Sequence, residues 1–178
     1  MLVLSVNRLV IMNTKMHENY MRKALAQARV AFKNGEVPIG AIVVDKDGNV
    51  LSRAYNKIEK QKCQAAHAEV IAIEKACKKI GGWRLDDCWM YVTLEPCLMC
   101  LGLIQLSRMK GIVFGVTSSL FGFGYGKTQS LPMYKKDLVI TDGVLKNDCC
   151  EILKEFFQIA RKRKKDSCEE KKRISKKD

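Results

Sequence analysis

An α/β sandwich built on a mixed sheet is the fold class this sequence predicts, and three observations carry it. Short apolar runs of strand length alternate with segments of helical period along most of the chain. Asp45-Lys46-Asp47-Gly48-Asn49 separates the runs Ile39–Val44 and Val50–Tyr55 and reads as a hairpin turn. The 178 residues are 47% hydrophobic, enough to bury the core of one domain, and no internal repeat or long linker divides them.

The elements follow in order. Residues 1–15 have no clear period and are expected to form a loose extension. From His17 to Lys33, Tyr20, Leu25, Ala28 and Phe32 recur at helical spacing, and Asn34-Gly35 ends that helix. The hairpin strands come next. Ala66 to Ile80 is helical, with Val70, Ile73, Cys77 and Ile80 on one face, and Gly81-Gly82 stops it. Met90 to Leu94 is a strand, a helix opens at Pro96 and runs to Ser107, and Gly111 to Gly115 is a strand. An aromatic–glycine loop spans Phe121 to Gly126, and Leu138 to Thr141 is a further strand. Cys149, Ile152, Leu153, Phe156 and Phe157 form the apolar face of a helix from Asp148 to Lys164. Residues 16–164 are therefore read as one domain, and 165–178 as a basic, disordered tail.

Charge and cysteine usage narrow the function class. Lys and Arg number 32 against 19 Asp and Glu, a formal net charge of +13, which points to a polyanionic partner, nucleic acid first. From Arg161 to Asp178 ten basic and four acidic residues give +6, so the tail holds nearly half of the excess. Eight cysteines, two of them adjacent at Cys149-Cys150, suit a reducing cytoplasmic setting better than a disulfide framework. No run approaches the roughly 18 apolar residues of a membrane span, so no membrane role is expected.

One constellation carries chemistry. His67 opens a helix in Ala66-His67-Ala68-Glu69, and thirty residues on comes Pro96-Cys97-Leu98-Met99-Cys100. Pro96 suits a first helical turn, which places Cys97 and Cys100 at i and i+3 on one face. The partial positive charge of a helix N-terminus favours their ionised forms. Imidazole and two thiolates together suit Zn²⁺ in a tetrahedral site, and three protein ligands leave the fourth position for water. Glu69, two residues after His67, is read as the proton carrier, with a raised pKa. A competing reading completes the shell with Cys63, giving a closed structural zinc knot in a non-catalytic RNA-binding module.

These residues resemble the cytidine deaminase superfamily, whose pattern is His-x-Glu followed by Pro-Cys-x-x-Cys. Within it the sequence is similar to the bacterial tRNA-specific adenosine deaminases in Glu36-Val37-Pro38-Ile39-Gly40-Ala41, in Tyr91-Val92-Thr93-Leu94-Glu95-Pro96-Cys97-Leu98-Met99-Cys100, in Val113-Phe114-Gly115 and in Ile140-Thr141-Asp142-Gly143-Val144-Leu145. The resemblance covers residues 16–164. It implies a three-layer α/β/α fold on a five-stranded sheet, one zinc ion per subunit and a homodimer with active sites near the subunit interface. It implies hydrolytic conversion of adenosine to inosine at the wobble position of a tRNA anticodon stem-loop. By position, Asn56 matches an asparagine that touches the base.

The chain departs from that family after Gly115. An acid expected in this loop is missing from Val116-Thr117-Ser118-Ser119-Leu120-Phe121-Gly122-Phe123-Gly124-Tyr125-Gly126-Lys127-Thr128, which leaves the loop's substrate contacts open. Phe121, Phe123 and Tyr125 could stack on splayed bases or pack into the core or a dimer interface. Arg161, Lys162 and Arg163 could follow phosphates or form a solvated end. A deaminase of free bases or nucleosides, of guanine or cytosine type, stands as the alternative that needs no basic tail.

Overall fold

The computed structural model describes the backbone of residues 2–124 and 137–174, and side chains over 14–124 and 137–167. The chain runs α1 (Leu2–Lys33), β1 (Gly40–Val44), β2 (Val50–Tyr55), α2 (Ile58–Gln61), α3 (Ala68–Ile80), β3 (Trp89–Leu94), α4 (Leu98–Leu106), β4 (Gly111–Val116), β5 (Val139–Thr141) and α5 (Lys146–Ile174). The five strands form one sheet in the order β2-β1-β3-β4-β5. β1 pairs antiparallel with β2 and β3, whereas β3–β4 and β4–β5 are parallel, so the sheet is mixed as expected.

Side-chain alternation divides the core into two. Ala41, Val43, Met90, Val92, Ile112 and Phe114 face α3 and α4 in the larger cluster. Ile42, Val44, Tyr91 and Val113, one residue out of step, pack with Met21, Ala24 and Leu25 of α1 and Cys149 of α5. Helices therefore cover both faces, giving three layers. His17, 9% exposed, belongs to the α1 side, where its Nδ1 lies 3.0 Å from the Tyr91 hydroxyl.

Local chemistry sets the joints. In the β1–β2 turn the Asp45 carboxylate accepts the N–H groups of Asp47 (3.0 Å) and Asn49 (2.8 Å), and Gly48 takes φ +85°. α3 ends on Gly81 at φ +72°, whose N–H bonds the Cys77 carbonyl.

Both terminal helices are longer than the apolar period indicates. α1 starts at Leu2, so the backbone of residues 2–15, expected as a loose extension, is helical. α5 continues to Ile174, through the start of the tail expected to be disordered. Neither segment contains glycine or proline, and extending an existing helix requires no new nucleus. α2, four residues with none buried, has no apolar period to announce it.

The sheet edge that serves the site is set by register. Ala41 pairs with Val92 and Gly40 with Tyr55, so the start of β1 and the ends of β2 and β3 lie at one edge. Gly40 N–H also donates to Thr93 Oγ1 at 3.1 Å. Gly40 lies against the backbone of α1, where a Cβ would run into the Ala24 carbonyl oxygen and the Ala28 nitrogen. Gly40→Ala is predicted to destabilise the protein by about 3 kcal/mol in urea unfolding, because two backbones must separate. Gly82→Ala, which meets open space, should change stability by less than about 0.5 kcal/mol.

Candidate active site

Two helix starts meet at this edge. His67 is the N-cap of α3 (φ −71°, ψ 150°) and Cys97 the N-cap of α4 (φ −76°, ψ 171°). Both have extended backbone, and neither side chain caps its own helix, so imidazole and thiol are available to turn toward each other. Their carbonyls begin the helices by accepting from Ile71 (3.1 Å) and Leu101 (2.9 Å). Pro96, expected inside the first turn, instead precedes the N-cap; a cap residue must leave helical geometry, and Cys97 takes that place. Cys100, fully buried, lies in the first turn of α4.

The three donor atoms form a compact group. His67 Nδ1 lies 3.7 Å from Cys97 Sγ and 3.4 Å from Cys100 Sγ, and all three atoms fall within 4.8 Å of one another. Zinc–sulfur and zinc–nitrogen bonds at a tetrahedral angle separate the two donors by about 3.6 Å, so the observed spacings fit one ion. Among the described residues this is the one such group of three or more donors. Cys63 is exposed and is not a member of the group, so the closed four-ligand knot is not formed. Its place just beyond α2, where its N–H bonds the Ile58 carbonyl, accounts for the separation.

The three groups perturb one another's protonation. The Cys97 thiol is drawn down to about 4, first by a hydrogen bond from Cys100 and then by one from His67. The same bond to Cys97, together with burial, pushes the Cys100 thiol up, while Cys97 raises the His67 imidazole. Glu69, 4% exposed in the first turn of α3, hydrogen-bonds Cys100, and burial pushes its carboxyl up as expected.

The remaining residues singled out from the sequence divide. Asn56 is 2% exposed immediately after β2, at the same sheet edge, and its N–H bonds the Ile39 carbonyl at 3.0 Å. Phe123 takes the packed alternative: it is 6% exposed and lies edge-on to Phe114 with ring centroids 6.1 Å apart, its N–H held by the Pro96 carbonyl. Phe121 is 76% exposed. Tyr125 lies outside the described residues. Arg161, Lys162 and Arg163 are exposed on α5.

Two carboxylates with no role legible in the sequence hold the surroundings. Glu36, 1% exposed, accepts the N–H groups of Glu59 (3.1 Å) and Lys60 (2.8 Å) and so caps α2 from 23 residues away. Glu95, 5% exposed, accepts from Ser118 (2.7 Å) and Gly124 (3.1 Å). A glutamate in an otherwise apolar stretch, as at Glu95, is the signal that could have marked one of them.

Replacing the buried donor should empty the site. Cys100→Ala is predicted to lower the metal content of purified protein from about one ion per chain to under about a tenth, by elemental analysis, because coordination supplies the binding energy. Cys63→Ala should leave it unchanged.

Comparison with known proteins agrees with this geometry. The profile of the MafB19-like deaminase family matches residues 15–161. The tRNA-specific adenosine deaminase of Bacillus subtilis is 40% identical over 151 residues, covering 83% of this chain and 92% of that protein. A solved tRNA:A34 deaminase, from work on A-to-I editing at the wobble position of transfer RNA, is 34% identical with a TM-score of 0.70, covering 76% of this chain and 99% of the other. The guanine deaminase of Bacillus subtilis is 32% identical with a TM-score of 0.55, covering 67% and 81%. The chain therefore belongs to this deaminase family, and within it groups with the tRNA-specific adenosine deaminases.

Proposed function

We propose that this protein hydrolyses the amino group of adenosine at the wobble position of a tRNA anticodon, giving inosine and ammonia. The observation that carries the reading is the group His67, Cys97 and Cys100, with donor atoms inside 4.8 Å and a buried Glu69 against it, in a chain 40% identical to a tRNA-specific adenosine deaminase. Zinc suits the imidazole–dithiolate donor set, and when bound it supplies Lewis acidity that lowers the pKa of water toward neutrality.

The chain's own groups do the rest. His67, Cys97 and Cys100 hold the ion, and three donors leave room for solvent. Glu69 takes the proton from the attacking water, passes it to a ring nitrogen of the adenine and assists the departing ammonia after attack at C6. Burial raises its pKa above the ordinary carboxylate range, which makes it a better proton acceptor from water than an exposed carboxylate. Asn56 orients the base: its buried side-chain amide offers donors and an acceptor at the edge where the metal ligands gather, and hydrogen bonds made there are shielded from water.

The wider assignment extends this reading. Residues 16–164 form the catalytic domain, with 1–15 and 165–178 as appendages. Leu98, Met99 and Leu106 of α4 are exposed, and a second copy covering them makes the homodimer. Arg161, Lys162 and Arg163 follow the RNA backbone. No described helix is long and apolar enough to cross a membrane; a tRNA substrate, as named for the relatives, supports a cytoplasmic setting.

Incubation with an adenosine-containing anticodon stem-loop should yield inosine, with free guanine, cytosine and adenosine left unchanged in parallel. Turnover of guanine without turnover of the stem-loop would favour the alternative that the guanine deaminase likeness supports. Glu69→Ala should keep the metal and the fold and lower kcat by roughly 1,000-fold or more; undiminished turnover would remove Glu69 from the chemistry. Truncation after Ala160 should reduce the salt slope of stem-loop binding by about 0.7–0.9 for each phosphate that the tail neutralises. An unchanged slope would assign the tail to solvent.

A further inference from the structure

The segment from Thr117 to Gly124 leaves the sheet at the end of β4 and is ordered by other means than a strand ladder. The Glu95 carboxylate sits inside it. Oε2 accepts the Ser118 N–H at 2.7 Å and Oε1 the Gly124 N–H at 3.1 Å, one oxygen for each end of the segment. The backbone adds two more ties: Glu95 N–H donates to the Val116 carbonyl at 2.7 Å, and Phe123 N–H to the Pro96 carbonyl at 3.0 Å. Residue 122 is glycine where a Cβ would run into the Glu95 carboxylate. Four hydrogen bonds thus join residues 95–96 to 116–124, and the next residue in the chain is the ligand Cys97.

A carboxylate this buried is costly unless it is hydrogen-bonded, and bonds from N–H to an ionised acceptor are among the strong ones. Removing the acceptor frees both ends of a segment with no ladder of its own. We propose that Glu95 is a positioning residue for the reaction: it docks the 117–124 loop against the metal-ligand turn before substrate arrives, so that the exposed Leu120-Phe121 edge stands ready for the nucleotide. The inference rests on the deaminase reading. Glu95 does not touch the reacting atoms. When the loop is docked only part of the time, apparent affinity falls by the docked fraction, while the saturated complex reacts at its normal rate. The expected signature is a KM effect.

The test compares wild type with Glu95→Gln, whose amide NH₂ meets one of the two N–H donors, and with Gly122→Ala, which displaces the loop from the opposite side. Each is assayed on the stem-loop and on free guanine, together with metal content and amide hydrogen exchange of residues 117–124. Both variants should retain the metal, exchange faster in that segment and raise KM by about tenfold with kcat within about twofold. KM unchanged in both, or a fall in kcat that tracks loss of metal, overturns the proposal. If Glu95→Gln does not fold, Gly122→Ala decides alone by the same criteria. A wild type that turns over neither substrate overturns the deaminase reading, and this inference with it; an active wild type with unaffected variants overturns only the inference.

Discussion

The meeting of two helix N-termini at one end of the sheet is the constraint on which the rest of the structure depends. His67 and Cys97 each occupy an N-cap with extended backbone, and each withholds its side chain from capping. The sheet holds the two helix starts together: β1 and β3 pair in register, and Gly40 packs against the α1 backbone on the other face. The partial positive charge of the two helix starts gathers where the thiols sit. The hydrogen bond between Cys100 and Cys97 lowers the Cys97 thiol and raises the Cys100 thiol.

Buried polar groups divide the labour around this point. Glu36 and Glu95 each take two backbone N–H groups and so tie down chain segments: the start of α2 by one, the two ends of 118–124 by the other. Glu69 instead contacts Cys100, and its charge is directed at the site. The two histidines differ in the same way. His17 is held by Tyr91 within an aromatic group on the α1 side, whereas the partners of His67 are two sulfurs. Glu36, Glu69, Glu95 and His17 are buried and His67 half-buried, and their partners distinguish them: backbone or aromatic neighbours for Glu36, Glu95 and His17, sulfurs for Glu69 and His67.

Much of this was legible because strong local signals coincide with tertiary ones. The turn at Asp45–Asn49 contains its own hydrogen bonds, and Gly81 ends α3 by its own positive φ, so both follow from short stretches of sequence. The candidate donor group was legible because a histidine and two cysteines at helix starts have few other uses together, and the fold brings their donor atoms within 4.8 Å. What escaped depends on distant partners. α2 is stabilised by Glu36, 23 residues away, and ends at Lys62 with φ +50°. Phe123 is buried by contacts with Pro96 and Phe114 that spacing along the chain does not reveal. The lengths of α1 and α5 reflect the absence of a stop signal, which apolar periodicity does not register.

The most direct test of the central claim is the ligand shell of the metal in freshly purified protein, read by X-ray absorption at the zinc edge. The expected spectrum is that of zinc with two sulfur neighbours at about 2.3 Å and two lighter nitrogen or oxygen neighbours at about 2.0–2.1 Å. A third sulfur in the shell, or protein isolated with no zinc, would contradict it.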